Sequence, residues 1–185
     1  MERVERKEHM MKKAYFAGGC FWCIAPVFRE MEGVQSVISG YCGGDEENPA
    51  YEDVKAQKTH HRETICVEYD PDNVSYQDLL SVFLASVDPF DAGGQFIDRG
   101  KSYTLAVFCS GDDERRLSEN MLENLSAEAG RPAAVSVEPY KKFWPAEDYH
   151  QNYDLKNPEA FARELEESGR NNITCPLRFK RKGLK

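Results

Sequence analysis

The sequence predicts an α+β fold: a two-layer sandwich on a split βαβ (ferredoxin-like) core, wrapped by a long C-terminal segment. Three observations carry this expectation. Runs with apolar residues at every second position alternate with runs that repeat at three and four, in the order strand, helix, strand, strand, helix, strand, then helix and strand. A chain of 185 residues is long enough for one sizeable core and short for two. After Tyr140 the aromatic and polar residues lose any clean period, so residues 141–157 are expected to wrap the domain rather than build its sheet.

Ala14-Tyr15-Phe16 reads as a short buried strand running into the Gly18-Gly19 turn. Phe21, Ile24, Phe28 and Met31 then repeat at helical spacing until Gly33; Pro26 fits only a first turn, which puts the helix start after Trp22. Val34 to Tyr41 is a strand ended by Cys42-Gly43-Gly44, and Thr64 to Tyr69 another that closes on Asp70-Pro71-Asp72-Asn73. The loop of about twenty residues between them is long for a compact domain, and such loops are usually functional. Ser75 caps a helix carrying Leu79, Leu80, Phe83 and Leu84, which Asp88-Pro89 ends. Tyr103 to Cys109 is a strand, Asp112 to Ala129 an amphipathic helix, and Ala133 to Val137 the last strand. Asn157-Pro158 starts a helix to Ser168. One catalytic domain is therefore expected, its core at about residues 12–157, with residues 158–185 a helical and mobile extension.

Charge excludes several functions. The net charge is -8, from 32 acidic and 24 basic residues, the reverse of what phosphate-driven nucleic-acid binding needs. The basic cluster Lys180-Arg181-Lys182 reads as a solvated tail. No apolar run approaches the ~20 residues of a membrane span, and residues 1–13 alternate charges where a signal peptide needs an apolar stretch. A cytoplasmic protein, monomeric and away from membranes, is expected. Its 6 cysteines are then more naturally reduced thiols than a disulfide framework.

Cys20 follows two glycines at a strand-to-helix junction, where free backbone N–H groups and the positive helix end favour thiolate over thiol. Position alone leaves two readings, a nucleophile or a small buried cysteine in a turn. Cys23 lies three residues on, where a second thiol can capture a sulfenic acid as a disulfide. A zinc knuckle would need a second ligand pair, and the other cysteines are single and widely spaced, so no metal is expected. Phe21 and Trp22 read either as core aromatics or as the walls of a pocket for an apolar methyl group.

Seven stretches occur together in a fixed order: Gly18 to Cys23, Ser39 to Gly44, Asn48 to Tyr51, His61 to Glu63, Asp88-Pro89, Gly94 to Tyr103 and Phe143 to Tyr153. On these, roughly residues 13–157, the chain resembles the peptide methionine sulfoxide reductase A family. The resemblance implies that Cys20 attacks the sulfur of a methionine S-sulfoxide, free or in proteins, and that Glu63 is the acid which protonates its oxygen. It further implies that Tyr51 and Tyr103 aim phenols at that oxygen, that Asp98 orders the site, and that Phe21, Trp22 and Tyr153 bind the methyl group. The chemistry suits these residue types: a raised-pKa carboxylic acid donates a proton where charge develops, and phenols stay protonated near neutral pH. No metal, flavin or nucleotide is implied, and thioredoxin or a small dithiol would restore the enzyme. His60, His61 and His150 are read as structural, because a thiolate stabilised by a helix end needs no histidine base.

The electron-relay cysteines depart from the family pattern. Many members have glycine where Cys23 stands, threonine where Cys42 stands, and resolving cysteines after a glycine-rich tail. Cys23 is the first choice for the resolving thiol on proximity, Cys175 in the tail the second and Cys42 the third. Cys66 and Cys109 alternate with apolar strand residues and are read as packing. Two rival readings use the same thiols. One is a thioredoxin-like thiol peroxidase or exchanger, and the other a metal-binding, redox-sensing module on Cys20, Cys23, His60 and His61.

Overall fold

The structure, a computed structural model, describes residues 10–170. It is a mixed α/β fold. Strand β1 (Lys12–Ala17) leads into helix α1 (Phe21–Arg29), followed by β2 (Val34–Cys42), α2 (Tyr51–Lys55) and β3 (Arg62–Tyr69). Helix α3 (Tyr76–Ala85) precedes a hairpin of β4 (Gly94–Gln95) and β5 (Asp98–Arg99). Then come β6 (Leu105–Cys109), α4 (Asp112–Ala129), β7 (Val135–Pro139), β8 (Phe143–Pro145), α5 (Tyr153–Lys156) and α6 (Pro158–Ser168).

The main sheet has the order β7-β6-β1-β3-β2-β8. Its central pairs β6/β1, β1/β3 and β3/β2 are antiparallel, β2 pairs antiparallel with β8, and β6 pairs parallel with β7. Side chains alternate across it with period two. Ala14 and Phe16 of β1, Ile65 and Val67 of β3, and Leu105 and Val107 of β6 face the large cluster under α1 and α3. Their neighbours Tyr15, Ala17, Cys66, Ala106 and Phe108 form a small rear cluster with Cys42, covered by Tyr140 and Phe143. The same parity puts Glu63 and Tyr41, paired across β3 and β2, on the helix side.

Local chemistry explains the helix ends. The Ser75 hydroxyl accepts from the Asp78 N–H and the Asp78 carboxylate accepts from the Ser75 N–H, a capping box that starts α3 as anticipated. Helix α1 departs from expectation. It begins at Phe21, before Trp22, because the Cys23 N–H already closes a turn on the Cys20 carbonyl at 3.1 Å. Pro26 therefore lies inside the helix and leaves the carbonyl one turn back without its usual amide partner.

Three further expectations are corrected. Residues 143–145 do not merely wrap the domain: β8 joins the sheet edge beside β2. Gly40 permits it, since a Cβ there would stand 2.3 Å from the Trp144 carbonyl oxygen. Within the long loop before β3, Tyr51 to Lys55 forms a helical turn and a half that carries a site tyrosine. Tyr103 sits in a 3-10 turn, and its strand begins two residues later at Leu105. No helix of the described residues is long and apolar enough to cross a membrane.

Candidate active site

Cys20 stands at the N-cap of α1, where β1 ends. Gly19 before it has φ +79, a left-handed conformation that costs glycine little, and a Cβ there would meet Gln95 at 2.7 Å. Gln95 is itself tied down. Its side-chain amide donates to the Asp88 carbonyl at 2.9 Å and its oxygen accepts from the Asp88 N–H at 2.8 Å. The loop bearing the thiol is thus packed from behind by the β4–β5 hairpin.

One residue past the thiol, the Phe21 N–H donates to Glu63 Oε2 at 3.1 Å. The carboxyl group takes up a free amide of the first helical turn and is held beside Cys20. Glu63 is 2% exposed. Burial pushes its pKa up to about 8 and the charge of Asp98 adds to this, while hydrogen bonds from the Phe21 N–H and the Tyr103 side chain act in the opposite sense. Near neutral pH Glu63 is therefore mostly a protonated acid.

The Cys20 thiol is also pushed well up, by its hydrogen bond with Cys23, then by burial, and then by the negative charges of Cys23, Glu63 and Asp98. This reverses the expectation of a resting thiolate. The helix end does reach the site, but its first N–H is spent on Glu63, and the hydrogen bond with Cys23, burial and the nearby acids outweigh it. Cys20 rests as a thiol, one helical turn from a second thiol. Its neighbours Tyr51 and Tyr103 are likewise held protonated by burial first and by the Glu63 charge second. Asp98, half-buried at the end of the hairpin, has its pKa raised by burial, while Arg170 and Lys55 pull it back.

An aromatic wall borders this polar group. Trp22 stacks on Tyr153 with centroids 3.8 Å apart and planes 7° from parallel. Phe21 packs against Tyr51 and Tyr41, with centroids 6.5 Å and 6.0 Å away. His150, fully buried, accepts the Trp22 indole N–H at its Nδ1 at 3.1 Å, and its ring lies 4.3 Å from that of Tyr51. Burial lowers its pKa although Glu147 opposes. His150 thus fixes an aromatic rather than serving as a base.

The structure brings Cys20, Glu63, Tyr51, Tyr103, Asp98, Phe21, Trp22, Tyr153 and Cys23 around one spot. The other thiols among the described residues lie elsewhere. Cys42 is buried in the rear cluster, its thiol donating to the Lys142 carbonyl at 3.2 Å, and Cys66 belongs to the same cluster. Cys109 sits beside Tyr76 and Ser118. Cys175 lies outside the described residues. Cys20, Cys23, Cys42, Cys66 and Cys109 are all free thiols. His61 is buried and bonded through both ring nitrogens to the Gly44 N–H and the Glu46 carbonyl, and His60 pairs with Glu46 at 2.7 Å. No group of three or more His, Cys, Asp or Glu suited to a metal occurs among the described residues.

Sequence reasoning assigned no role to Glu147, Glu164 or Arg170. Glu147 accepts the Tyr51 N–H at 2.9 Å and the Tyr41 hydroxyl at 2.8 Å, clasping α2 to the sheet. It stands between Ala146 and Asp148 in one of the seven stretches, and an acidic pair ahead of the rings of Tyr149 and His150 was the available signal. Glu164 and Arg170 reach the site only through the fold of α6, and nothing in their local sequence marks them.

A buried thiol beside a second thiol, a protonated carboxylic acid and two phenols is the equipment of a thiol-dependent oxidoreductase. Comparison with known proteins narrows that class. The family model described as peptide methionine sulfoxide reductase matches residues 12–178. A peptide methionine sulfoxide reductase MsrA of Streptococcus agalactiae is 42% identical over 154 residues, 82% of this chain and 91% of the relative. Mxr1 from Saccharomyces cerevisiae in reduced form superposes with a TM-score of 0.76 at 29% identity, over 80% of this chain and 87% of that one. Mxr1 in complex with Trx2 shares the fold at a TM-score of 0.54 and 21% identity, over 82% of this chain and 91% of that one. The chain belongs to the peptide methionine sulfoxide reductase family.

Proposed function

We propose that this protein reduces methionine S-sulfoxide, free or in proteins, to methionine, with Cys20 as nucleophile and Glu63 as the acid. The observation that carries the reading is the buried, protonated Glu63 hydrogen-bonded one residue from the thiol. Phe21, Trp22 and Tyr153 take the methyl group, Tyr51 and Tyr103 donate to the sulfoxide oxygen, and Asp98 orders the polar side of the site. As the Cys20 S–H bond breaks, its sulfur attacks the sulfoxide sulfur while Glu63 protonates the oxygen. The oxygen then passes to Cys20: methionine sulfur is reduced by two electrons, Cys20 becomes a sulfenic acid, and the thiol proton makes good the one Glu63 gave.

Cys23 then attacks the sulfenic sulfur, forming a disulfide and releasing water. Proximity across one helical turn and the hydrogen bond between the two thiols support Cys23 over Cys42, which packs on the other side of the sheet, and Cys175 is the remaining alternative. Thioredoxin is the proposed reductant, by analogy with the Mxr1 complex with Trx2, and a small dithiol is the substitute. The scaffold is read as one catalytic domain with a split βαβ core, supported by the antiparallel order β6-β1-β3-β2. A reducing cytoplasm suits its free thiols.

Turnover of the separated S and R sulfoxides tests the reading. Wild type should reduce the S epimer and Cys20→Ser should not; equal turnover of peroxide would favour a thiol peroxidase instead. One-turnover oxidation followed by disulfide mapping should find Cys20 joined to Cys23, and a bridge persisting in Cys23→Ser would move the resolving role to another cysteine.

A further inference from the structure

The turn after α6 carries Arg170 to within hydrogen-bond reach of the nucleophile loop, although it lies outside the seven short stretches on which the sequence resemblance rests. Its Nη2 donates to the Gly18 carbonyl at 3.4 Å, and a Cβ on Gly19 would stand 2.6 Å from the same nitrogen. Its guanidinium lies over the Phe96 ring, 4.5 Å from the centroid. Phe96 holds a left-handed backbone, φ +55, which a phenylalanine keeps only where its surroundings impose it. Arg170 is thus wedged between the loop before Cys20 and the strained tip of the β4–β5 hairpin, whose next strand opens with Asp98.

The arginine is 7% exposed, and its Nε has no hydrogen-bond partner among the described residues. A buried arginine serving only as a structural tie would be expected to saturate its donors. Its charge acts instead on the acids around it, Asp98 and Glu164.

We propose that Arg170 is a positioning residue for the reaction: it ties the Gly18–Gly19 loop that carries Cys20 to the β4–β5 hairpin that carries Asp98, and so sets its charge near that carboxylate. The inference rests on the sulfoxide-reductase reading for its consequence, though not for its geometry. Asp98 is faced by Glu164 of α6, Lys55 of α2, Glu63 of β3, Tyr103 of the turn before β6, and Cys20. Of the two cations that act on Asp98, Lys55 is exposed and screened by water, so the buried Arg170 carries the larger effect. An ionised Asp98 in turn favours the protonated form of Glu63, the form the chemistry requires.

The test compares Arg170→Gln and Arg170→Lys with wild type in two measurements. The first is the pH profile of kcat/KM for methionine S-sulfoxide. The second is the midpoint of the Asp98 side-chain carboxyl carbon followed by NMR, its signal assigned with Asp98→Asn. Arg170→Gln should raise both the acid limb and the carboxyl midpoint by about one pH unit, and Arg170→Lys should hold both near wild type. A lower rate with an unmoved limb and midpoint would overturn the proposal and leave Arg170 a packing residue. If Arg170→Gln does not fold, Arg170→Met, which keeps the stem against Phe96, replaces it with the same expected shift. A wild type that reduces no sulfoxide refutes the assigned function, while the carboxyl midpoint still decides the role of Arg170.

Discussion

The two faces of the main sheet each bury cysteines, and they surround them with different groups. On the helix side the Cys20 thiol is pushed well up by Cys23, burial and nearby acids. On the rear, burial pushes Cys42 up to about 12 and Cys66 up to about 11. The rear cluster even has its own phenols, Tyr15 stacked on Tyr140 at 4.2 Å. Burial and aromatic company therefore do not make a nucleophile. What the helix side adds is Glu63, a carboxyl group buried enough to keep its proton near neutral pH and hydrogen-bonded next to the thiol.

Removing each thiol in turn gives the largest contrast. Cys20→Ser should abolish sulfoxide reduction with any reductant, because a serine hydroxyl cannot take the oxygen as a sulfenic acid does. Residual turnover in that variant would mean that another thiol is the nucleophile. Glu63→Gln should come next, costing about a thousandfold in kcat/KM, within the range of a lost general acid. In wild type the rate should fall as pH rises past about 8, where Glu63 loses its proton, and the variant should lose that limb. Stability carries the same signature. Folded Glu63 keeps its proton to about 8 while the unfolded chain releases it near 4.5, so wild-type stability should fall across that window. Thermal melts of Glu63→Gln should be flatter there. Tyr103→Phe should have a smaller effect, about a hundredfold in kcat, since Tyr51 remains as a second donor to the same oxygen.

How much of this contrast the sequence revealed depended on the distance over which each feature is decided. Alternation in β1, β3 and β6 and the Ser75 cap are local, and they were legible residue by residue. Parity along β2 also separates Tyr41 from Cys42, so the rear location of Cys42 could be read once its strand was recognised. The pairing of β8 with β2 joins residues a hundred positions apart and depends on a close approach at Gly40, which no periodicity records. For the same reason the site was legible where residues lie in the seven short stretches that carry the resemblance, and silent at Arg170. The protonation of Cys20 failed to follow from its helix end because the hydrogen bond with Cys23, burial under the fold, and the acids Glu63 and Asp98 from distant strands outweigh it.

The smallest expected effect is the sharpest check on the rear face. Cys42→Ala removes a sulfur with no exposure whose thiol donates to the Lys142 carbonyl, leaving a small void and an acceptor short of its partner. That should lower stability by about 1 kcal/mol, a typical cost for a buried truncation of this size, and leave turnover with dithiol and with thioredoxin unchanged. Melting and both assays on one preparation decide it. Unchanged dithiol turnover with a loss of thioredoxin-driven turnover would place Cys42 in the electron relay despite its burial. For that to happen, Tyr140 and Phe143 would have to lift from the cluster, since their rings cover the sulfur's side of the sheet. The contrast between the two faces therefore reduces to whether that cover opens during the catalytic cycle.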